Sequence, residues 1–330
     1  MTVLVTGGAG YIGSHTVLAL LDRGEDVMVL DNFSTGFPSV IPEGVILVEG
    51  DVGDRALLDQ VMSQTKLDAV IHFAGSIVVP DSVSDPLGYY HNNTVNSREL
   101  IAACVAHKVP RFIFSSTAAV YGTPETVPVK ETMLLEPISP YGASKLMTEW
   151  MLRDTAFAHD FDYVALRYFN VAGADPKGRA GQSTARATHL IKVAVEAVTG
   201  ARDHVSVFGD DFDTPDGTGV RDYIHVSDLA AAHLAALDHL RDGNEGGAFN
   251  CGYGRGASVL EVLETVQAVS GQKIDIRHGP RRSGDPAALI SDPAKLRETL
   301  NWTPVLDDLG TIVEHALRWE QRLRQNPVGK

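Results

Sequence analysis

Two side chains suited to acid–base chemistry lie four residues apart in the run Ser139-Pro140-Tyr141-Gly142-Ala143-Ser144-Lys145. On a helix, residues at positions i and i+4 share one face, so this spacing brings the phenol of Tyr141 and the ammonium of Lys145 together. A neighbouring positive charge favours the phenolate, so we expect the pKa of Tyr141 to be lowered. A phenol that titrates nearer neutral pH can exchange a proton with an alcohol or sugar hydroxyl.

A glycine-rich turn opens the chain as Thr6-Gly7-Gly8-Ala9-Gly10-Tyr11-Ile12-Gly13, between an apolar run and residues with helical spacing. This order is typical of a dinucleotide-binding unit, in which a helix N-terminus holds the pyrophosphate. A second apolar run ends at Asp31, where such a unit has the carboxylate that binds the adenosine ribose. That carboxylate repels a 2′-phosphate and so favours NAD over NADP. A Tyr-x-x-x-Lys pair alone also occurs on solvated helix faces, but its combination with this turn indicates an oxidoreductase-type site.

The composition restricts the partners. The 330 residues carry a net charge of −14, which disfavours nucleic acid or an anionic membrane as the main partner. The two cysteines, Cys104 and Cys251, provide neither a disulfide framework nor a metal quartet, and no metal site is predicted. No apolar run reaches membrane-spanning length and the chain enters its first strand at once, so we expect a cytoplasmic protein.

Apolar runs and helical patterns alternate along the first half of the chain, which predicts an α/β fold with a Rossmann-like doubly wound parallel sheet. The predicted helices include a long one from Leu87 to His107 and the helix of Tyr141, which continues to about Ala158. From about Gly173 the pattern changes to helices joined by short strands. We therefore expect a NAD-binding domain over residues 1–172 and a smaller α/β substrate-binding lid domain over 173–330, with some chain crossing back to the first domain. The predicted strands are Val3–Val5, Val27–Asp31, Val45–Val48, Ala69–His72, Phe112–Phe114, Tyr163–Leu166 and Val205–Phe208.

The ordered motifs resemble one family, the extended short-chain dehydrogenase/reductases, and within it the UDP-glucose 4-epimerases. The resemblance covers nearly the whole chain. It rests on the glycine turn, the Tyr-Lys pair, and four further runs: Val70-Ile71-His72-Phe73-Ala74-Gly75, Ser115-Ser116-Thr117-Ala118-Ala119-Val120-Tyr121-Gly122, Leu166-Arg167-Tyr168-Phe169-Asn170 and Arg281-Arg282-Ser283-Gly284-Asp285.

The resemblance implies NAD that stays bound and a UDP-sugar that is oxidised and re-reduced at C4 through a 4-keto intermediate. Tyr141 would be the acid–base group, Lys145 would hold the nicotinamide ribose, and the hydroxyl of Thr117 would bind the 4-oxygen. The implied cofactor positions are Gly7, Gly10, Tyr11, Ile12, Gly13, Asp31, Asn32, Asp51, Val52, Phe73, Ala74, Gly75, Asn92, Ser115, Tyr141, Lys145 and Tyr168. The implied substrate positions are Thr117, Tyr141, Phe169, Asn170, His189, Leu190, Ser206, Phe208, Arg221, Arg282, Asp285 and Leu289.

Several alternatives stay open at this stage. The substrate could be a UDP-N-acetylhexosamine or UDP-xylose/arabinose, because Leu289 and His189 replace residues that some members of the group have at these positions. A non-catalytic NAD-binding regulator is disfavoured by the intact Tyr-Lys pair. Ala118 and Ala119 supply neither an acid nor a base, which disfavours a dehydratase. The resemblance also implies a homodimer formed through the 97–107 and 141–158 helices.

Overall fold

The structure is a computed structural model that describes residues 1–184, 187–282 and 285–326. Its strands are β1 (Thr2–Thr6), β2 (Asp26–Asp31), β3 (Ile46–Glu49), β4 (Leu67–His72), β5 (Arg111–Thr117), β6 (Asp162–Tyr168), β7 (Asn170–Ala172), β8 (Val205–Phe208), β9 (Val220–His225), β10 (Gly247–Cys251), β11 (Gly256–Ser258), β12 (Ile276–Gly279) and β13 (Ala288–Leu289). Its α-helices are α1 (Tyr11–Asp22), α2 (Arg55–Gln64), α3 (Val79–Ser84), α4 (Pro86–Tyr89), α5 (Asn96–Ala106), α6 (Pro140–Ala158), α7 (Leu190–Val198), α8 (Val226–Arg241), α9 (Val259–Ser270), α10 (Ala294–Leu300) and α11 (Leu309–Gln325).

The central sheet has seven strands in the order β3-β2-β1-β4-β5-β6-β10, and every neighbouring pair is parallel. The strand order therefore reverses between β1 and β4, the position at which doubly wound sheets bind their ligands. Gly7 follows β1 and Phe73 follows β4, so both lie at this switch point. The predicted Rossmann-like sheet is confirmed.

Side chains alternate between the two faces of the sheet, as the pleat of a strand requires. In β1, Val3 and Val5 belong to the hydrophobic cluster that contains α1, α8 and the C-terminal helices, whereas Leu4 belongs to the cluster of α2, α5 and α6. Helix α8 therefore covers the central sheet although its residues come after position 172. The sheet buries both faces, which explains why its strands are almost entirely apolar.

The remaining strands form two small sheets. Strand β9 pairs with β7 and β13 in parallel and with β11 in antiparallel orientation, while β8 pairs with β12 in parallel. Strand β10 returns to the central sheet beside β6, a strand that the sequence pattern did not predict. The division of the chain at residue 172 stays a prediction.

Helix α6, which contains Tyr141 and Lys145, begins where its sequence dictates. Pro140 occupies the first turn, where its missing N–H costs nothing, and the Ser139 hydroxyl accepts a hydrogen bond from the Gly142 N–H at 3.2 Å. The predicted helix from Leu87 to His107 differs in one respect. Its first part is α4, and a π-helical turn over Tyr90–Val95 separates α4 from α5. Such turns are frequent at functional sites, and this one contains Asn92.

In the described ranges, no helix is long and apolar enough to cross a membrane. The same ranges contain no group of three or more His, Cys, Asp or Glu side chains arranged to hold a metal ion.

Candidate active site

The glycine turn between β1 and α1 leaves no room for side chains. Gly7 has φ +69°, and a Cβ there would lie 2.6 Å from the backbone nitrogen of Ala74. A Cβ at Gly13 would lie 2.2 Å from the carbonyl oxygen of Gly7. Gly10 is the N-cap residue of α1, and no side chain caps this helix end. The free N–H groups of the first turn and the helix dipole therefore fit an anionic group such as a pyrophosphate.

Polar side chains gather beside the turn at the ends of β2 and β3. The Asp31 carboxylate accepts hydrogen bonds from the N–H of Ala9 at 2.9 Å and the N–H of Phe33 at 2.8 Å, so it fixes the turn that it faces. Asn32 donates to Asp51 at 2.9 Å. Val52, next to Asp51, is buried. This arrangement fits an adenosine ribose on the carboxylate and an adenine near Asp51 and Val52.

The third side of the groove follows β4. Phe73 donates its N–H to the Thr6 carbonyl at 2.9 Å, which holds the 73–75 segment against the glycine turn. Gly75 lies so close to α6 that a Cβ there would be 3.6 Å from Lys145 Nζ. Asn92 donates to the Ser76 hydroxyl at 2.9 Å, and Tyr11 closes the far end by donating to the Gly173 carbonyl at 2.7 Å. The backbone cradle of the glycine turn, the Asp31 carboxylate and this groove together fit a dinucleotide.

The candidate catalytic groups lie at the carboxyl end of β5. Thr117 ends this strand, and its hydroxyl oxygen accepts a hydrogen bond from the Ala119 N–H at 3.1 Å, which leaves the hydroxyl proton free to donate. Tyr141 is half-buried and has the Thr117 side chain as a hydrogen-bond partner. Lys145 is buried, donates from Nζ to the Ser115 carbonyl at 3.0 Å and lies 4.9 Å from the centre of the Phe114 ring.

The predicted lowering of the pKa of Tyr141 is wrong for the protein chain itself. Burial raises the pKa of the Tyr141 phenol, and the hydrogen bond from Thr117 offsets this only in part. Burial also lowers the pKa of Lys145 to about 8, so the ammonium is charged at neutral pH but poorly solvated. The Lys145 ammonium is directed to the Ser115 carbonyl, and this explains why spacing alone overestimated its effect on the phenol.

A buried ion pair supports these groups from below. The Arg167 guanidinium donates to both carboxylate oxygens of Glu149, at 3.0 and 2.6 Å, and to the Tyr121 hydroxyl at 2.8 Å. Ser116, next to Thr117, donates its hydroxyl to the same carboxylate. Neither Glu149 nor Arg167 is among the site positions predicted from the sequence, although Arg167 lies in one of the motif runs. Glu149 follows Lys145 by four residues on the same helix face, and Arg167 interrupts an apolar strand. These two local patterns are the sequence features from which both residues could have been predicted.

The predicted substrate residues fall into three groups. Arg221 donates to Asp285 at 3.2 Å and pairs in register with Leu289, which packs beside Phe169 in a small cluster with Ala118. Leu289 therefore connects this group to the end of β5. Asn170, His189 and Leu190 line a second region between β7, α7 and α11.

The third group lies on the small β8–β12 sheet. Ser206 and Phe208 belong to β8, and the Arg282 guanidinium lies 4.0 Å from the centre of the Phe208 ring. The structure thus pairs Arg282 with Phe208, and both residues are implied substrate positions. Ser283 and Gly284 of the quoted motif lie outside the described residues. Gln182, which the sequence analysis did not select, has its amide 2.8 Å from His189 Nδ1.

Comparison with known proteins agrees with this geometry. The profile of the "NAD dependent epimerase/dehydratase family" matches residues 3–252. The chain belongs to this family. It is 57% identical over 324 residues to a UDP-glucose 4-epimerase of Azospirillum brasilense, with 98% of this chain and 93% of the relative covered.

Two solved structures of the family are similar over their whole length. The UDP-glucose 4-epimerase of Bifidobacterium longum, solved with NAD+ and UDP, has a TM-score of 0.93 at 40% identity, with 100% of both chains covered. The UDP-Glc/GlcNAc 4-epimerase of Campylobacter jejuni has a TM-score of 0.85 at 48% identity, with 97% of this chain and 99% of that chain covered.

The family includes dehydratases as well as epimerases, and the residues after Thr117 distinguish the two chemistries. Ala118 and Ala119 begin a short 3-10 helix at the carboxyl end of β5, and Ala118 is buried in the apolar cluster of Leu289 and Phe169. Dehydration of a sugar needs an acid and a base to remove a proton and expel a hydroxyl. Two methyl side chains provide neither, so the site favours epimerisation.

Proposed function

We propose that the protein interconverts UDP-glucose and UDP-galactose with tightly bound NAD, as a UDP-glucose 4-epimerase. The observation that carries the proposal is the convergence of Thr117, Tyr141 and Lys145 at the carboxyl end of β5, beside the switch point of the sheet. The similarity to epimerases over the whole chain supports the same reaction.

The protein's part in cofactor binding is to provide a fixed cradle. Gly7 and Gly13 allow the turn to approach a pyrophosphate, Asp31 accepts hydrogen bonds from a ribose, and Lys145 faces the groove at Gly75. NAD supplies the hydride acceptor and, in its oxidised form, a positive ring that favours a nearby phenolate. The cradle is built from backbone and buried side chains, so little rearrangement is needed on binding.

Tyr141 carries out the proton transfer. As a phenolate, it takes the proton of the sugar 4-hydroxyl while the hydrogen on C4 leaves with its electron pair as hydride, and a C4 ketone remains. When the sugar binds, the Thr117 hydroxyl turns its single proton from the phenol to the 4-oxygen and so holds that oxygen in line with the phenol. The keto sugar then rotates in the site and presents the opposite face of its C4 carbonyl. Hydride returns to C4 from that face, and Tyr141 gives the proton back to the oxygen.

The nucleotide end of the substrate needs local positive charge, because the protein as a whole carries −14. Arg221 and Arg282 provide it, and the planar guanidinium suits a diphosphate because it donates two parallel hydrogen bonds. Asp285, held by Arg221, is the acceptor for the uridine ribose, and Phe208 on β8 provides an aromatic face for the uracil.

A second candidate substrate is a UDP-N-acetylhexosamine. Leu289 lies in β13 next to Phe169, on the side of the site that faces the catalytic helix, and leucine leaves more space there than a tyrosine. The similarity to the Campylobacter jejuni enzyme, whose name includes both sugars, supports this candidate.

The test is to incubate the purified protein with UDP-galactose without added cofactor and to separate the products by chromatography. We expect UDP-glucose to form, and Tyr141→Phe to reduce turnover on the order of a hundredfold while UDP still binds.

Arg221→Leu should raise KM for the UDP-sugar with normal NAD content, and Arg55→Leu, in an exposed ion pair with Asp59, is the control. A strict requirement for NADPH, consumed once per turnover, would contradict the proposal. Absence of both turnover and a reduced-nicotinamide absorbance band would favour a non-catalytic NAD-binding protein.

We also infer a homodimer and a cytoplasmic location. The solvent side of α5 and α6 has an apolar strip in which Trp150 is 46% and Phe157 95% exposed, and a cleft between these helices is lined by Ile101, Val105 and Met151. A second copy would cover this strip. Both cysteines are free and buried, as expected in a reducing compartment. Light scattering should give twice the chain mass, and Trp150→Glu should give the monomer; a monomeric wild type would contradict the dimer.

A further inference from the structure

His233 is a fully buried histidine in α8 whose two ring nitrogens have different partners. Nδ1 lies 2.8 Å from the Leu229 carbonyl, which can only accept a hydrogen bond, so Nδ1 carries the proton. Nε2 is therefore an acceptor, and the Tyr168 hydroxyl donates to it at 2.6 Å. Burial lowers the pKa of His233 to about 4, so the imidazole is neutral at physiological pH.

The strand of Tyr168 adjoins the strand that contacts Lys145. Tyr168 ends β6, and Ser115 lies on the neighbouring strand β5. The Ser115 carbonyl in turn accepts the hydrogen bond from Lys145 Nζ at 3.0 Å. The hydroxyl that His233 accepts from and the carbonyl that Lys145 donates to therefore lie near the carboxyl ends of two neighbouring strands.

The same imidazole also packs against the wall of the cofactor groove. The rings of His233 and Phe73 have centroids 4.8 Å apart at an interplanar angle of 49°. Phe73 adjoins Ala74, whose backbone nitrogen is the atom nearest to a Cβ placed on Gly7. One buried side chain therefore touches both Tyr168 and Phe73, two residues predicted to line the cofactor site.

We propose that His233 is a positioning residue for the hydride-transfer site: its imidazole holds the Tyr168 hydroxyl and the Phe73 ring in place beside the cofactor groove. This inference rests on the proposed function and names a residue that contributes to it without contacting the reacting atoms. The sequence alone gives no signal for His233, because it lies among the apolar positions of an ordinary amphipathic helix.

The test compares His233→Phe with His233→Gln in the full-length protein. Phenylalanine keeps the ring contact with Phe73 but offers no acceptor to Tyr168, whereas the glutamine side-chain oxygen can accept near the former Nε2 position. We expect His233→Phe to lower kcat on UDP-galactose on the order of tenfold to a hundredfold, with KM nearly unchanged and NAD lost faster on gel filtration. His233→Gln should recover most of kcat and NAD retention.

Tyr168→Phe removes the hydroxyl without altering α8, so it gives a result even if His233→Phe does not fold. It should reproduce the loss in kcat, and adding His233→Phe to it should cause little further loss. An unchanged kcat and NAD content in His233→Phe or in Tyr168→Phe would overturn the proposal. Equal losses in His233→Phe and His233→Gln, or additive losses in the double variant, would assign His233 a packing role only and would also overturn it.

Nitrogen-15 NMR of the histidine rings separates this inference from the proposed reaction. The His233 signals, assigned as those missing in His233→Gln, should show a protonated Nδ1 and an unprotonated Nε2 between pH 6 and 8. The opposite tautomer would contradict the inference whatever the substrate is. Failure of the wild-type protein to convert UDP-galactose would instead contradict the proposed function and leave the tautomer and the NAD retention as tests of His233.

Discussion

The ion pair below Thr117 makes Arg167→Met an informative substitution. The side chains of Arg167 and Glu149 are 5% and 6% exposed, and two hydrogen bonds join them. Methionine fills much of the same volume but leaves the Glu149 carboxylate buried, with the Ser116 hydroxyl as its remaining donor among the contacts described above. A buried charge that has lost its partner is strongly destabilising because the protein interior solvates it poorly.

The size of the effect follows from this burial. Removing one partner of a buried ion pair costs about 3–5 kcal/mol in the free energy of unfolding. An unfolding entropy of about 2.1 cal/mol/K per residue gives roughly 0.7 kcal/mol/K for this chain, so the expected decrease in Tm is about 4–7 °C. The Arg55–Asp59 pair, with side chains 38% and 44% exposed, is the matched control. Arg55→Met should change the free energy of unfolding by only about 0.5 kcal/mol.

The double variant Arg167→Met/Glu149→Leu identifies the cause. It removes both charges, so its Tm should lie above that of Arg167→Met alone. Unfolding of the two single variants and the double variant is followed by circular dichroism. The kcat on UDP-galactose is measured alongside, because Ser116 adjoins Thr117 and loses its acceptor whenever Glu149 is replaced. A Tm for Arg167→Met within 1 °C of wild type, or a double variant whose loss equals the sum of the two single losses, would refute the reasoning.

Three further predictions concern the site. Gly13→Ala should abolish NAD retention, since its Cβ would lie 2.2 Å from the Gly7 oxygen. The control Gly271→Ala, at φ +67° with nothing within 4 Å, should lower the free energy of unfolding by about 1–2 kcal/mol and keep NAD. Equal NAD retention in both variants would contradict the proposed cradle. Lys145→Met should have a higher Tm than wild type at pH 7, and the difference should shrink as pH rises through about 8 toward 10.5. In this range the unfolded wild type binds more protons than the folded wild type, so the wild type gains stability as pH rises. A constant difference would show that burial of the ammonium has little cost. Leu289→Tyr should lower kcat/KM for UDP-N-acetylgalactosamine selectively and keep UDP-galactose activity; parallel changes would show that Leu289 does not limit the pocket.

Much of the sheet was predictable because its signals are local. The run Val3–Val5 followed by the glycine turn has only one compatible conformation, and the Tyr141–Lys145 helix was predicted to its last residue. Strand β10 was missed because Gly247-Ala248-Phe249-Asn250-Cys251 has no alternating pattern, and it is a strand only through its pairing with β6. The π-helical turn in the 87–107 helix was missed for the same kind of reason, since its hydrogen-bond register depends on packing against α6.

The candidate site also contains some residues that local spacing identifies and others that it does not. Glycines and the Asp31 carboxylate were identified because a short spacing constrains them. The ion pair of Glu149 with Arg167 and the contact of Tyr168 with His233 join residues 18 and 65 positions apart, and no local pattern specifies such partners. The pKa of Tyr141 was predicted in the wrong direction because spacing reports which charges are near but not how far the phenol is removed from water.

Burial shifts the pKa of Tyr141 and the pKa of Lys145 in opposite directions, but it disfavours the charged form of both residues. It raises the pKa of the phenol and lowers the pKa of the ammonium to about 8, so both charged forms are disfavoured by the protein alone. A sugar hydroxyl that meets a neutral phenol finds a hydrogen-bond donor and not a base. The phenolate needs further positive charge beside Lys145, and oxidised NAD carries such charge on its nicotinamide ring. In the proposed mechanism, proton abstraction by Tyr141 is therefore tied to the cofactor form that can accept hydride, so the proton and the hydride leave the C4 alcohol together.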